Sequence, residues 1–196
     1  MENKLVIYGY RGHARSVANV VLHNNKNTKI VFVNEDAQAN DKIWGYDVES
    51  KCDDKTDCII AFGDNQVRKN LFRGKNIVSV IAKDACLGIN SKVEKGCFIA
   101  HGAFIGPECK IGQGTIINTQ AIIEHETKVG EFTNICPNVA ISGRCNIGNN
   151  VFIGTGSAVI NNIRICDDVI VGTGSVVIKD ILVSGTYVGN PVRKVK

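Results

Sequence analysis

Beginning at Ile81 and stepping by six, the chain meets an aliphatic residue at every stop through Val177. The series runs Ile81, Leu87, Val93, Ile99, Ile105, Ile111, Ile117, Ile123, Val129 and onward, and all seventeen positions are Ile, Leu or Val. A period of six matches neither a helix nor an alternating strand, and it predicts a hexapeptide β-helix in which each repeat makes one short strand and one corner. Three repeats close a triangular coil, so these anchors make between five and six coils, a prism roughly 27 Å tall at ~4.8 Å between stacked strands. The phase never slips, so no long loop can be extruded from a coil without being compensated in whole repeats.

The other repeat positions agree. The second is often glycine, as at Gly88, Gly106, Gly112, Gly130, Gly148, Gly154 and Gly172. This predicts a corner where the backbone bends and a side chain fits poorly. The fifth is small or β-branched, as at Cys97, Ala103, Cys109, Thr115, Ala121, Thr127, Thr133 and Cys145. These predict a second inward-facing row in a narrow prism, and account for three of the eight cysteines as packing.

Composition bounds the setting. A chain of 196 residues with 44% hydrophobic and 21% charged residues has the material for one large core or two modest ones. The formal charge of +4, without any run of five like charges, gives no support to nucleic-acid binding. "MENK" passes straight into "LVIYGY" with no leader pattern, and no apolar run approaches ~18 residues, so a cytoplasmic protein with no membrane partner is expected. The cysteines at 52, 58, 86, 97, 109, 136, 145 and 166 form no CxxC pair, so reduced thiols and no metal are expected.

The first eighty residues have a different texture. "KLVIYGYRGHARSVANVVLHNN" reads as a strand ending near Tyr8, a Gly-rich turn, and a helix with Ala14, Val17, Ala18, Val20 and Val21 on one face. "KIVFVNED" and "DCIIAFGDN" read as further strands, "NQVRKNLF" as a short helix, and "NIVSVIA" as a last strand handing over to the repeats. Strand and helix alternate, which predicts a small parallel α/β sheet over residues 1–80, followed by the β-helix over 81–196. The turn "GYRGHA" lacks full G-x-G-x-x-G spacing, yet backbone N–H groups at a helix start beside Arg11 and His13 suit a phosphate. The alternative is that the segment simply turns and His13 caps the helix. Asn34, Glu35 and Asp36 end the second strand and Gly63, Asp64 and Asn65 the third, so these loops converge on the sheet edge where such folds bind ligands.

A Rossmann-like N-terminal domain followed by a left-handed hexapeptide β-helix resembles the bacterial sugar acyltransferase family, which includes sialic-acid O-acetyltransferases and the N-acetyltransferase of the UDP-N,N′-diacetylbacillosamine pathway. The resemblance covers essentially the whole chain and rests on "YGYRGHA", "GDNQVRK", "INTQAIIEHE" and "VGNPVRKV". "IEHE" followed by "VGEF" is closer to the N-acetyltransferases of UDP-linked 4-amino sugars. The resemblance implies a homotrimer with acetyl-CoA as co-substrate in the groove between neighbouring prisms, and an active site shared between subunits. It implies His125 as general base supported by Glu126, the nucleotide-sugar held by Arg11, Gly12, His13, Asn34, Glu35 and Gly63, and cofactor contacts at Asn134, Thr155, Thr173, Asn190 and Pro191. The bacillosamine branch has histidine where this chain has Asn134, which donates hydrogen bonds but cannot titrate.

Acetyl transfer needs a base for the nucleophile's proton and donors for the developing oxyanion. His125 suits the first task, and either Glu126 or Glu124 is placed to fix its tautomer. Gly143, one coil on, is expected to leave open space above His125 for substrate, and Asn118 to be a polar neighbour. His101, the other histidine of the repeats, is expected to lack carboxylate neighbours and reads as surface or trimer contact. Two histidines are too few for a trihistidine zinc site of the carbonic anhydrase type. A purely structural solenoid needs neither the N-terminal domain nor the basic "VGNPVRKV" tail, whose Arg193, Lys194 and Lys196 suit coenzyme A phosphates. The competing enzymatic reading is O-acetylation of sialic acid or a related sugar.

Overall fold

The computed structural model describes residues 4–38, 40–53 and 55–196. The N-terminal part builds a five-stranded sheet in the order β3-β4-β2-β1-β5, from β1 (Lys4–Tyr8), β2 (Lys29–Val33), β3 (Lys42–Ile43), β4 (Tyr46–Glu49) and β5 (Cys58–Ile60). The strands β4, β2, β1 and β5 are mutually parallel, and β3 adds an antiparallel edge. Sequence reading did not anticipate the β3–β4 hairpin, because its strands are too short and polar to show a period. Helix α1 (Gly12–Asn24) buries Ala14, Val17, Ala18, Val20 and Val21, the face expected from their spacing. Helix α2 (Asn65–Leu71) is capped by Asp64, whose carboxylate accepts from Val67 N at 2.8 Å.

The segment "NIVSVIA" divides between the two parts. Ile77 bridges to Cys58 of the N-terminal sheet, whereas Val80–Ile81 pairs with Phe98–Ile99 and begins the solenoid.

From there each strand pairs in parallel with the one eighteen residues on, as Ile99 with Ile117 and Ile117 with Ile135. Three stacked sheets result. The domain face carries Val80, Phe98, Ile116, Asn134, Phe152 and Ile170 outward; the first four lie against the N-terminal part. The apolar face presents Cys86, Phe104, Ile122, Ala140, Ala158 and Val176. The lysine face presents Lys92, Lys110, Lys128, Asn146 and Arg164. The periodic aliphatics point inward, and Ile99, Ile105, Ile117, Ile123, Ile135, Ile141 and Ile153 are all fully enclosed.

The fifth-position row also carries hydrogen bonds. Thr115, Thr127, Thr133 and Ser157 each donate a hydroxyl to the carbonyl fifteen residues on, at 2.7, 3.1, 2.9 and 2.9 Å. The thiols of Cys97, Cys109 and Cys145 do the same at 3.2, 3.1 and 3.2 Å, so they act as donors to otherwise unpaired corner carbonyls as well as small hydrophobes. Burial pushes the Cys97 thiol up to about 12, which keeps it protonated for that bond.

Corner geometry bears out the poor fit of a side chain at the second position. Second-position glycines are needed for space, since a Cβ on Gly106 would lie 2.8 Å from His125 N. The left-handed backbone sits instead at the fourth position, at Gly96, Gly102 and Gly114 but also at Glu126 (φ 59) and Phe132 (φ 51).

Above the last coil, Gly185–Gly189 pairs in parallel with Val169–Val171 and turns back through Val192–Lys194. The "VGNP" tail thus extends the domain face.

Candidate active site

His125 and Glu126 form the corner between the apolar and lysine faces, which is the edge of the prism opposite the domain face. His125 Nδ1 lies 3.0 Å from Glu126 Oε2, and both side chains are about half exposed. Glu126 is therefore the carboxylate that holds the imidazole, a choice between it and Glu124 that adjacency alone left open. Arg144, at the same corner one coil on, approaches Glu126 Oε2 at 3.7 Å and donates from Nε to Asn162 Oδ1 at 3.0 Å. With Nδ1 engaged, Nε2 is the nitrogen left for an external proton.

Gly143 has a different role from the one expected. A Cβ there would lie 2.4 Å from His125 Cε1 and 2.5 Å from Nε2, so the space above Gly143 is filled by the imidazole itself rather than kept for substrate. Asn118 is not beside the histidine either. It belongs to the corner between domain and apolar faces, where its Oδ1 accepts from Thr119 N at 2.8 Å.

The convergence expected of the loops after β1, β2 and β5 is met only in part, because residues 9–14 and Gly63–Asn65 stay outside the cleft that Asn34, Glu35 and Asp36 line. Tyr8, Asn34, Glu35, Asp36, Phe62 and Lys75 line a cleft of about 840 Å³ at that sheet edge. Lys75 stands 4.9 Å over the Tyr8 ring. Arg11 precedes α1 as its N-cap without a side-chain cap bond, and neither it nor Gly12 lines this cleft. His13 departs furthest from both readings of the turn. It neither caps the helix nor meets the cleft: its ring packs edge-on against Phe98 at 5.2 Å, with a buried Nε2 that has no hydrogen-bond partner. Burial, then the nearby Arg68 charge, lowers its pKa to about 4.

Gly63 opens onto a second groove with Asp64, Asn65, Asn150, Phe152 and Ile170, between α2 and the domain face. Its carbonyl accepts from Asn134 Nδ2 at 3.1 Å. Asn134 is thus a buried residue of the interdomain seam, away from the His125 edge. Thr155 and Thr173 are exposed and stacked one coil apart on the domain–apolar corner, and Asn190 and Pro191 form the exposed tip of the tail hairpin. These cofactor candidates accordingly lie on the domain face, on one corner and at the tail tip of one chain, and none lies on the corner of His125.

Two features escaped sequence reading. Arg68, only 1% exposed, donates to Phe62 O at 2.8 Å, Gly114 O at 2.6 Å, Phe132 O at 3.1 Å, Thr133 O at 3.3 Å and Asn65 Oδ1 at 2.9 Å. It joins α2 to the prism, helped by Phe72 packed edge-on against Phe132 at 5.1 Å. His101, expected to lack a carboxylate, has Asp84 at 2.7 Å and Asn19 at 3.3 Å, and its ring meets His23 at 5.1 Å. Asp84 sits one coil earlier at the same corner, a proximity invisible in linear order.

Among the described residues, no group of three or more His, Cys, Asp and Glu is gathered to hold a metal ion, and no helix is long and apolar enough to cross a membrane.

Residues 4–74 match the model of the PglD N-terminal domain. The whole fold is similar to the acetyltransferase domain of PglB from Neisseria gonorrhoeae in complex with acetyl coenzyme A, at 25% identity and a TM-score of 0.92, covering 100% of both chains. It is also similar to PerB from Caulobacter crescentus in complex with CoA and GDP-perosamine, at 26% identity and a TM-score of 0.85, over 98% of this chain and 97% of that one. WeeI from Acinetobacter baumannii shares the fold at 22% identity and a TM-score of 0.90, over 97% of this chain and 99% of that one. No curated protein matches the chain.

Proposed function

Because the chain belongs with the bacterial sugar acyltransferases, a PglD-type N-terminal domain joined to a left-handed β-helix, we propose that it transfers acetyl from acetyl-CoA to the 4-amino group of a nucleotide-linked amino-dideoxy sugar. The observation that carries this is the His125–Glu126 pair at 3.0 Å, on a corner where the imidazole is propped over Gly143 and half exposed.

Nδ1–H donated to Glu126 leaves the Nε2 lone pair to take the proton as the sugar amine attacks the thioester carbonyl. A C–N bond forms, the C–S bond breaks, and the thiolate leaves to be protonated as free coenzyme A. Glu126 stabilises the imidazolium formed in that step. The cleft at Asn34 and Glu35 takes the nucleotide, while Thr155, Thr173, Asn190 and Pro191 contact the acyl donor. His125 and the N-terminal domain occupy opposite sides of one prism, so a site that uses both is completed by a second copy. The uncharged face of Phe104, Ile122, Ala140 and Ala158 is suited to packing three prisms together in a cytoplasmic homotrimer.

The sequence motif favours a UDP-linked sugar. PerB, solved with GDP-perosamine, supports a GDP-linked 4-amino sugar as the second reading. Thiol release from acetyl-CoA, measured with UDP-2-acetamido-4-amino-2,4,6-trideoxyglucose, GDP-perosamine and sialic acid offered separately, tests them. Turnover with either amino sugar is expected; turnover with sialic acid alone would move the protein to O-acetylation.

A further inference from the structure

The lysine face stacks Lys92, Lys110 and Lys128 directly opposite one another on successive parallel strands, about 4.8 Å apart in the ladder direction. Like charges so placed destabilise a sheet. Carboxylates stand nearby but are engaged elsewhere. Glu94 accepts from Gln113 N at 3.0 Å, Asp167 accepts from Asn149 N at 2.8 Å, and Glu126 holds His125. Glu108 remains on the rim. No hydrogen bond or ion pair joins the ammonium groups of the three lysines to any described residue. The ladder floors two shallow depressions of about 540 Å³ each, and Glu126 and Arg144 of the catalytic corner share the wall of one with Lys110 and Lys128.

We propose that this ladder is a diphosphate-binding strip serving the His125 corner. A row of ammonium groups without partners, one per coil along the face, favours a polyanion over a single carboxylate. The strip spans the coils at which the N-terminal domain sits across the prism, so it lies at the height of His125. Resting on the acetyltransferase reading, two sources of that chemistry arrive there: the acyl donor and the nucleotide-sugar each carry a diphosphate.

Inorganic pyrophosphate titrated calorimetrically into the wild-type protein at low salt is expected to bind, with affinity at least tenfold weaker in Lys110→Gln/Lys128→Gln. A Lys26→Gln/Lys55→Gln control, with the same charge change on the N-terminal domain, is expected to match wild type. Absence of binding to wild type, or equal loss in both double variants, overturns the strip. Steady-state kinetics then identify the source. A tenfold rise in KM for acetyl-CoA but not for S-acetylpantetheine, which lacks the diphosphate, assigns it to the donor; a rise confined to the nucleotide-sugar assigns it to the acceptor. Unchanged KM for both overturns its service to the catalytic corner. A wild-type protein inert toward every amino sugar would instead defeat the acetyltransferase reading, while the pyrophosphate comparison still decides the strip.

Discussion

The imidazole of His125 rests on Gly143, close enough that a single added methyl carbon would lie 2.5 Å from Nε2. The two residues are eighteen apart in sequence and one coil apart in space. Gly143→Ala is therefore expected to swing the ring off Glu126 and lower kcat by about 10²-fold or more, a loss on the scale of misplaced general-base catalysis, with little change in melting temperature. Retention of full activity would show that the ring's seat is immaterial.

His125→Ala removes the proposed base without touching the prism core. We expect a folded protein by circular dichroism and kcat reduced by about 10²- to 10⁴-fold in the thiol-release assay. Wild-type activity in that variant would sink the base assignment.

Glu126 combines its proposed catalytic position with a left-handed backbone at φ 59. A non-glycine residue there costs on the order of 1 kcal/mol. Glu126→Gly is accordingly expected to hold or raise stability in urea while cutting kcat by at least tenfold, because the imidazole loses its orienting acceptor. A variant that gained stability and kept its rate would leave Glu126 without a catalytic part.

Arg68 satisfies carbonyls from three separate segments inside the seam. Arg68→Met is expected to destabilise the fold by about 3 kcal/mol or more by urea unfolding, since it strands buried acceptors. Lysine, with one compact ammonium, is expected to recover only part of this.

His13 makes stability depend on pH. Its folded pKa of about 4 lies below the ordinary value of 6.5, so between those values the unfolded chain binds the extra proton. Stability from this group is complete above pH 6.5 and declines as pH falls toward 4, by about 3 kcal/mol at most. The slope of unfolding free energy over that window, compared between wild type and His13→Phe, isolates the contribution; identical slopes would mean the histidine is hydrated when folded.

The prism was legible because its determinant is local and repeated: an aliphatic every sixth residue fixes strand, corner and stacking together. The same spacing exposed "IEHE" as a chemical interruption. What stayed hidden depends on neighbours that the period does not encode. Asp84 meets His101 across a coil, and Arg68 finds its acceptors at Phe62, Gly114 and Phe132. Such a buried arginine breaks the usual rule for its residue type. His13 sat in a turn whose composition suits phosphate, yet the turn presses it against Phe98. Asn134, read from resemblance as a cofactor contact, is occupied with Gly63 in the seam.

An uninterrupted eighteen-residue pairing interval makes height along the prism a discrete scale, marked off one strand spacing at a time. Duplicating a whole coil above His125, such as residues 147–164, would raise the tail by one graduation while leaving the dyad and the N-terminal domain level with each other. Inserting a length that is not a whole number of coils would shift later side chains off their faces. The distance from the His125 corner to the tail is thus set by counting coils, like a vernier with only whole steps.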